Sequence, residues 1–114
     1  MKDDNFYLIH MNECLGDIQE YTSGGRDAFY VSKLIQDAVL RKLQIMVQSS
    51  MQLSDSFREV HSEIAWNKMR GFRNFVVHEY LEIDLDAVWY IVENDLPPLV
   101  KAVKAAIRGS KDTE

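Results

Sequence analysis

Trp66-Asn-Lys-Met-Arg-Gly-Phe-Arg-Asn-Phe-Val-Val-His-Glu-Tyr-Leu81 decides how the chain folds. With about 100° per residue and Arg73 set at zero, Met69, Phe72, Phe75 and Val76 fall on an arc from roughly 200° to 320°. Arg70 lies near about 60°, Asn74 near about 100° and His78 near about 140° on the same wheel. Such segregation predicts an amphipathic helix over 66–81, with the apolar arc turned into a core and the polar groups turned to solvent. Tyr80, seven residues after Arg73, returns close to the arginine's direction, so Arg73, Asn74, His78 and Tyr80 can border one groove.

The same helical period extends in both directions. From Phe6 to Tyr21, Phe6, Ile9, Leu15 and Ile18 recur at three- to four-residue intervals beside Met11 and Cys14, and Thr22-Ser-Gly-Gly25 ends the run. Arg26 to Gln48 reads as one continuous helix, the longest expected, with Phe29, Leu34, Ile35, Ala38, Val39, Leu43 and Met46 on its apolar face. Ser49 to Ser56 reads as a frayed end or connection, and Phe57 to Ile64 as one short helical turn. Asp84 or Asp86 is the expected N-cap of a further helix with Val88, Ile91 and Val92 inward. Pro97-Pro98 cannot sit inside an undisturbed helix but suits a first turn, so Asp95 is expected to cap a last helix from about Leu96 to Ile107. That helix should stop at Gly109, leaving a short polar tail. No alternating strand pattern occurs. The expected architecture is all-α, an antiparallel up-down bundle of four to five helices forming a single domain over residues 1–114.

Composition narrows the function classes. The 18 acidic and 13 basic side chains give a net charge of −5, which opposes a protein that wraps nucleic acid through a broad positive surface, so any RNA contact should be local. A single cysteine, Cys14, has no internal disulfide partner, and no Cys/His spacing resembles a zinc site. Met1-Lys-Asp-Asp-Asn5 does not read as a signal peptide, and no apolar run approaches the roughly 20 residues of a membrane span. A cytoplasmic protein with no membrane association is the expectation.

The polar face of helix 66–81 carries residue types suited to metal-independent cleavage of RNA. Histidine titrates near neutrality, so His78 can take a proton from a ribose 2′-hydroxyl or give one to the leaving oxygen. Arg73 presents a permanently charged planar fork to phosphate oxygens, with Arg70 in support. Asn74, four residues before His78, can orient the imidazole. An Arg and a His on an exposed helix face are ordinarily solvated surface groups, and spacing alone does not separate the two readings. His10 and His61 are expected to be surface or capping residues, Cys14 a small core hydrophobe, and Glu79, Glu82, Asp84 and Asp86 caps or solvated acids rather than a metal cluster.

Arg73-Asn-Phe-Val-Val-His78-Glu-Tyr80 closely resembles the R-x4-H-x-Y motif of the HepT-like branch of the HEPN superfamily. Gln36 to Ile45 is similar to that family's long second helix, Phe57 to Ile64 with Trp66 to the approach to the motif, and Ile83 to Pro97 to the segment after it. The chain departs from the pattern at Met46-Val-Gln-Ser49, where Ile-Gly-Glu-Ala is common, and at Ala65, where proline often precedes the tryptophan. The resemblance implies a homodimeric endoribonuclease toxin that needs no cofactor, with catalytic Arg73 and His78. It also implies a minimal nucleotidyltransferase antitoxin as partner, which silences the toxin by transferring AMP to Tyr80. The dimer axis would bring two motif copies into a shared cleft collecting Lys68, Arg70 and Arg73, with Val77 and Trp66 as candidate subunit contacts. A non-catalytic nucleotide-binding or regulatory subunit of a nucleotidyltransferase complex would use Arg73 and Tyr80 equally well, and a helical adaptor would use neither.

Overall fold

The computed structural model describes residues 3–77 and 82–112, with side chains described as far as residue 107. Helix α1 spans Asp4–Tyr21, and Asp3 caps it by accepting from the Phe6 amide at 3.0 Å. Leu8, Met11, Leu15 and Ile18, spaced at three and four residues, are at most 1% exposed, with Cys14 beside them. Leu15 and Ile18, with Met11 and Cys14, face inward as expected, whereas the N-terminal part of the stripe turns on Leu8 in place of Ile9, which is 41% exposed. Thr22 closes the helix with its hydroxyl on the Ile18 carbonyl at 2.8 Å, and Gly25 at φ 90° supplies the left-handed turn that follows.

The long second helix expected from Arg26 to Gln48 is instead two helices, α2 at Arg26–Val31 and α3 at Lys33–Met51. Ser32 breaks the run: its backbone is extended and its hydroxyl accepts from the Ile35 amide at 3.2 Å, starting a new helix. Gln36 braces the corner by donating to the carbonyls of Phe29 and Tyr30. Phe29 is fully buried, whereas Leu34, expected on the apolar face, is 80% exposed because the break rotates the helix that follows. Helix α3 ends at Met51, three residues into the Ser49–Ser56 stretch expected as a frayed end or connection, and residues 52–54 form the connection. Ser54 then caps the short α4, Asp55–Val60, while its backbone amide and hydroxyl donate to the Asp4 carboxylate at 2.8 and 2.7 Å. Asp4 near Ser54 and Asp17 on Lys42 at 3.0 Å show that α1 and α3 run antiparallel.

Helix α5 covers Trp66–Val77 among the described residues, and α6 begins at Leu85 with Asp84 as its N-cap, accepting from Ala87 at 3.1 Å. Helix α6, Leu85–Tyr90, does not end before the prolines. A π-helical turn at Ile91–Asp95 carries it into α7, Leu96–Asp112. The Leu96 amide reaches back to the Ile91 carbonyl, and this widened turn accommodates Pro97 and Pro98, whose rings would crowd the carbonyls four residues earlier in a regular helix. Asp95 is thus not the cap of a separate helix; its carboxylate accepts from Lys68 Nζ at 2.7 Å and ties α7 to α5. Helix α7 also passes the stop expected at Gly109.

The core is one continuous cluster. Helix α1 packs on α3 and α7, and α3 packs also on α5. Among the described residues there is no strand, and no helix is long and apolar enough to cross a membrane.

Leu43 is fully buried at the centre of α3, so Leu43→Ala should destabilise the fold by about 2–5 kcal/mol, read as a lower midpoint in urea. The bond to Asp95 raises the Lys68 ammonium above the ordinary lysine value of 10.5. A raised pKa contributes stability that is complete below the unfolded value and is lost as pH climbs through the folded one. Asp95→Asn should return Lys68 toward 10.5 and remove that alkaline component, as followed by NMR titration of the lysine side chain.

Candidate functional site

Burial fixes the rotation of α5. Met69, Phe72 and Val76 are each 6% exposed and face the core, which leaves Arg70, Arg73 and Asn74 exposed. Phe75, expected among the core residues, is half-buried, and Val77 is 57% exposed on the polar side. His78 and Tyr80, the expected catalytic histidine and AMP acceptor, lie outside the described residues. The described part of the site is therefore the arginine side of the motif.

Arg70 and Arg73, one turn apart on α5, open onto a groove of about 570 Å³. Ser50 and Met51 at the end of α3, Trp66 and Met69 of α5, and Arg58 from α4 complete its lining. The departure at Met46-Val-Gln-Ser49 lies directly before Ser50, with Met46 and Val47 buried in the core. Ala65, where the motif family often has proline, accepts the Lys68 and Met69 amides at 2.9 and 3.2 Å and so starts α5.

An aromatic cluster holds the approach to the groove. His61 stacks on Phe57 at 4.1 Å between centroids, Phe57 meets Trp66 edge-on at 6.2 Å, and Trp66 Nε1 donates to the His61 carbonyl at 3.1 Å. His61 Nδ1 lies 2.9 Å from Glu63, and that contact holds the Glu63 carboxyl below its usual range. His61 is thus engaged away from the groove, and His10 sits exposed against Phe6. Cys14 is buried, and burial raises its thiol pKa above the ordinary value. Asp84 serves as a cap and Asp86 accepts the Tyr30 hydroxyl.

Two residues change places relative to the sequence reading. Lys68, expected beside Arg70 and Arg73, sits on another face of α5 and is neutralised by Asp95. The pairing with Asp95 holds the Lys68 ammonium against the π-helical turn, and Lys68 does not line the groove. Arg58 takes its place from a distant part of the sequence. Its Nη2 donates to the carbonyls of Ser50 and Met51 at 3.4 and 3.2 Å, and its guanidinium lies 5.6 Å from the Trp66 ring centre. No local pattern flags it, since its company in the groove depends on how α4 folds back over the end of α3.

The groove is electrostatically one-sided. None of its lining residues is a carboxylate, and among the described residues no carboxylate lies within ion-pair distance of Arg58, Arg70 or Arg73. Arg70 donates only to the neutral Asn67 side chain, at 3.1 Å. Guanidinium groups left uncompensated in this way suit a polyanion whose phosphates supply the missing charge. Among the described residues no group of acids, histidines and cysteines could hold a metal ion.

A protein from Methanocaldococcus jannaschii, provisionally named an RNase, is 33% identical over 90% of this chain and 95% of its own length. A Thermococcus cleftensis protein provisionally named ribonuclease HepT is 32% identical over 82% of the chain and 86% of its own. A second M. jannaschii protein, whose name joins a gamma-glutamylcyclotransferase to an RNase, is 34% identical over 90% of the chain, which spans only 46% of that relative. No solved structure matches the chain. The model of the ribonuclease HepT-like family matches residues 11–106, a span that runs from α1 through the motif helix into α7, and the chain belongs to that family.

Proposed function

We propose that this protein is a metal-independent endoribonuclease acting as the toxin of a toxin–antitoxin pair, with Arg73 and His78 as its catalytic residues. The observation that carries the reading is a groove, free of carboxylates among the described residues, at which Arg70 and Arg73 are exposed eight and five residues before His78. Family membership and relatives provisionally named as RNases support it.

In this mechanism Arg73 binds the non-bridging oxygens of the scissile phosphate. His78 takes the proton from the adjacent 2′-hydroxyl, the 2′-oxygen bonds to phosphorus, and the bond from phosphorus to the 5′-oxygen breaks. The leaving oxygen collects a proton, and the guanidinium stabilises the charge that gathers on the phosphoryl oxygens. Asn74 orients the imidazole and Arg70 adds to the field. The site is completed in a homodimer, in which Val77, exposed on the same arc as Arg73, becomes a subunit contact. The setting is cytoplasmic.

Regulation is placed at Tyr80. A minimal nucleotidyltransferase antitoxin transfers AMP to its hydroxyl, and the added phosphodiester brings negative charge and bulk beside Arg73, where it competes with the substrate phosphate.

His78→Ala should lower RNA cleavage by at least about a hundredfold, the usual contribution of a general acid–base group, while leaving the folded dimer intact. Full cleavage by a rigorously purified His78→Ala protein, measured on total RNA, removes His78 from the mechanism. Tyr80→Phe should keep nuclease activity but accept no AMP from the partner with ATP and magnesium; mass spectrometry locating AMP on another residue refutes the Tyr80 assignment. Nucleotide binding by the wild-type protein without cleavage of any RNA would favour the non-catalytic, nucleotide-binding alternative.

A further inference from the structure

Arg58 belongs to no motif, yet it is the most firmly held cation of the groove. Two carbonyls at the end of α3 fix one Nη, and the Trp66 ring holds the guanidinium plane. The Nε–H is buried without a partner. Arginine normally loses considerable rotamer freedom when it binds a ligand, and here the fold has already removed most of it.

The way the chain distributes its charges gives this arginine a purpose beyond capping α3. Lys33, Lys42 and Lys68 are each paired with an aspartate. Arg58, Arg70 and Arg73 converge on one groove with no carboxylate among its lining residues. In a chain of net charge −5 such convergence raises the local positive potential where the rest of the surface is acidic. Capping α3 uses only Nη2, which leaves the other Nη free to donate. Arg70 and Arg73, three residues apart, place their Cβ atoms about 5–6 Å from each other along the groove. The row from Arg73 through Arg70 to Arg58 is therefore longer than one phosphate group requires.

We infer that Arg58 and Arg70 form a second phosphate subsite, adjoining Arg73, which holds the flanking phosphodiester of a single-stranded RNA. This rests on the reading of the protein as one that acts on RNA, and it adds where the strand lies: from the motif, along α5, toward the corner between α3 and α4. Arg58, stacked on Trp66, also offers an outer planar face against which an unpaired base can rest.

The test is binding of the full-length chain to a fluorescent, fully 2′-O-methylated single-stranded RNA of about twelve nucleotides, which cannot be cleaved, over a range of salt concentrations. For single strands, each phosphate contact contributes roughly 0.7 to the slope of log affinity against log salt. Arg58→Gln and Arg70→Gln should each lower that slope by about 0.7 and weaken binding several-fold at low salt. Lys101→Gln, the same charge change at an exposed position of α7, should leave the slope unaltered. Among the described residues Arg70 hydrogen-bonds to the Asn67 side chain alone, so its variant should keep the wild-type melting temperature and separate lost binding from lost folding. Unchanged slopes in both groove variants overturn the subsite, as does failure of the wild-type chain to bind the RNA. Displacement of the RNA by an equal concentration of ATP or inorganic phosphate also overturns it, because the groove would then be a site for a free nucleotide or phosphate. Slopes that fall as stated, in a protein that cleaves no RNA, leave the subsite standing and refute the nuclease mechanism instead.

Discussion

Burial of the apolar stripe of α3 is the constraint from which the rest of the structure follows. Val39, Leu43, Met46 and Val47 are at most 2% exposed, and the helix contacts both α1 and α5. These residues fall within about 100° of arc, one stripe that the two neighbouring helices have to cover between them. Once α1 has covered it in antiparallel register, α5 has one remaining surface on which to bury Met69, Phe72 and Val76. That docking turns Arg70, Arg73 and Asn74 outward as a geometric consequence.

The corner between α3 and α4 converts this packing into a site. Leu53 and Ile64 bury themselves at either end of α4, Asp4 pins Ser54, and Arg58 reaches back over the carbonyls that end α3. The Ser50 carbonyl also accepts the Leu53 amide at 3.3 Å, and a cation over this helix end adds a donor to both carbonyls and complements the helix dipole. The same contact seats Arg58 beside the motif arginines. A structural cap and a component of the groove are thus one side chain, and the aromatic stack of His61, Phe57 and Trp66 keeps α4 and α5 in the required relation.

The other side of α5 shows the opposite treatment of charge. Lys68 points toward α7 and is neutralised by Asp95, at the π-helical turn that relieves Pro97 and Pro98. The distortion lets α6 and α7 run as one irregular rod, while the ion pair ties that rod to α5.

The sequence by itself determined the helical class, the amphipathic rotation of α5, a cap at Asp84 or Asp86, the burial of Cys14 and the membership signalled by Arg73-Asn-Phe-Val-Val-His78-Glu-Tyr80. These features depend on residues within one or two helical turns of each other, where periodicity and capping chemistry act directly. Local reading missed the break at Ser32, because serine is tolerated inside helices and only a capping bond to Ile35 distinguishes the two outcomes. It also made Asp95 a cap, because the competing partner, Lys68, stands 27 residues away. Tertiary structure alone decided that Lys68 leaves the groove and Arg58 enters it. A helix face fixes which residues can point together, but which cation arrives from another helix is set by how the core packs.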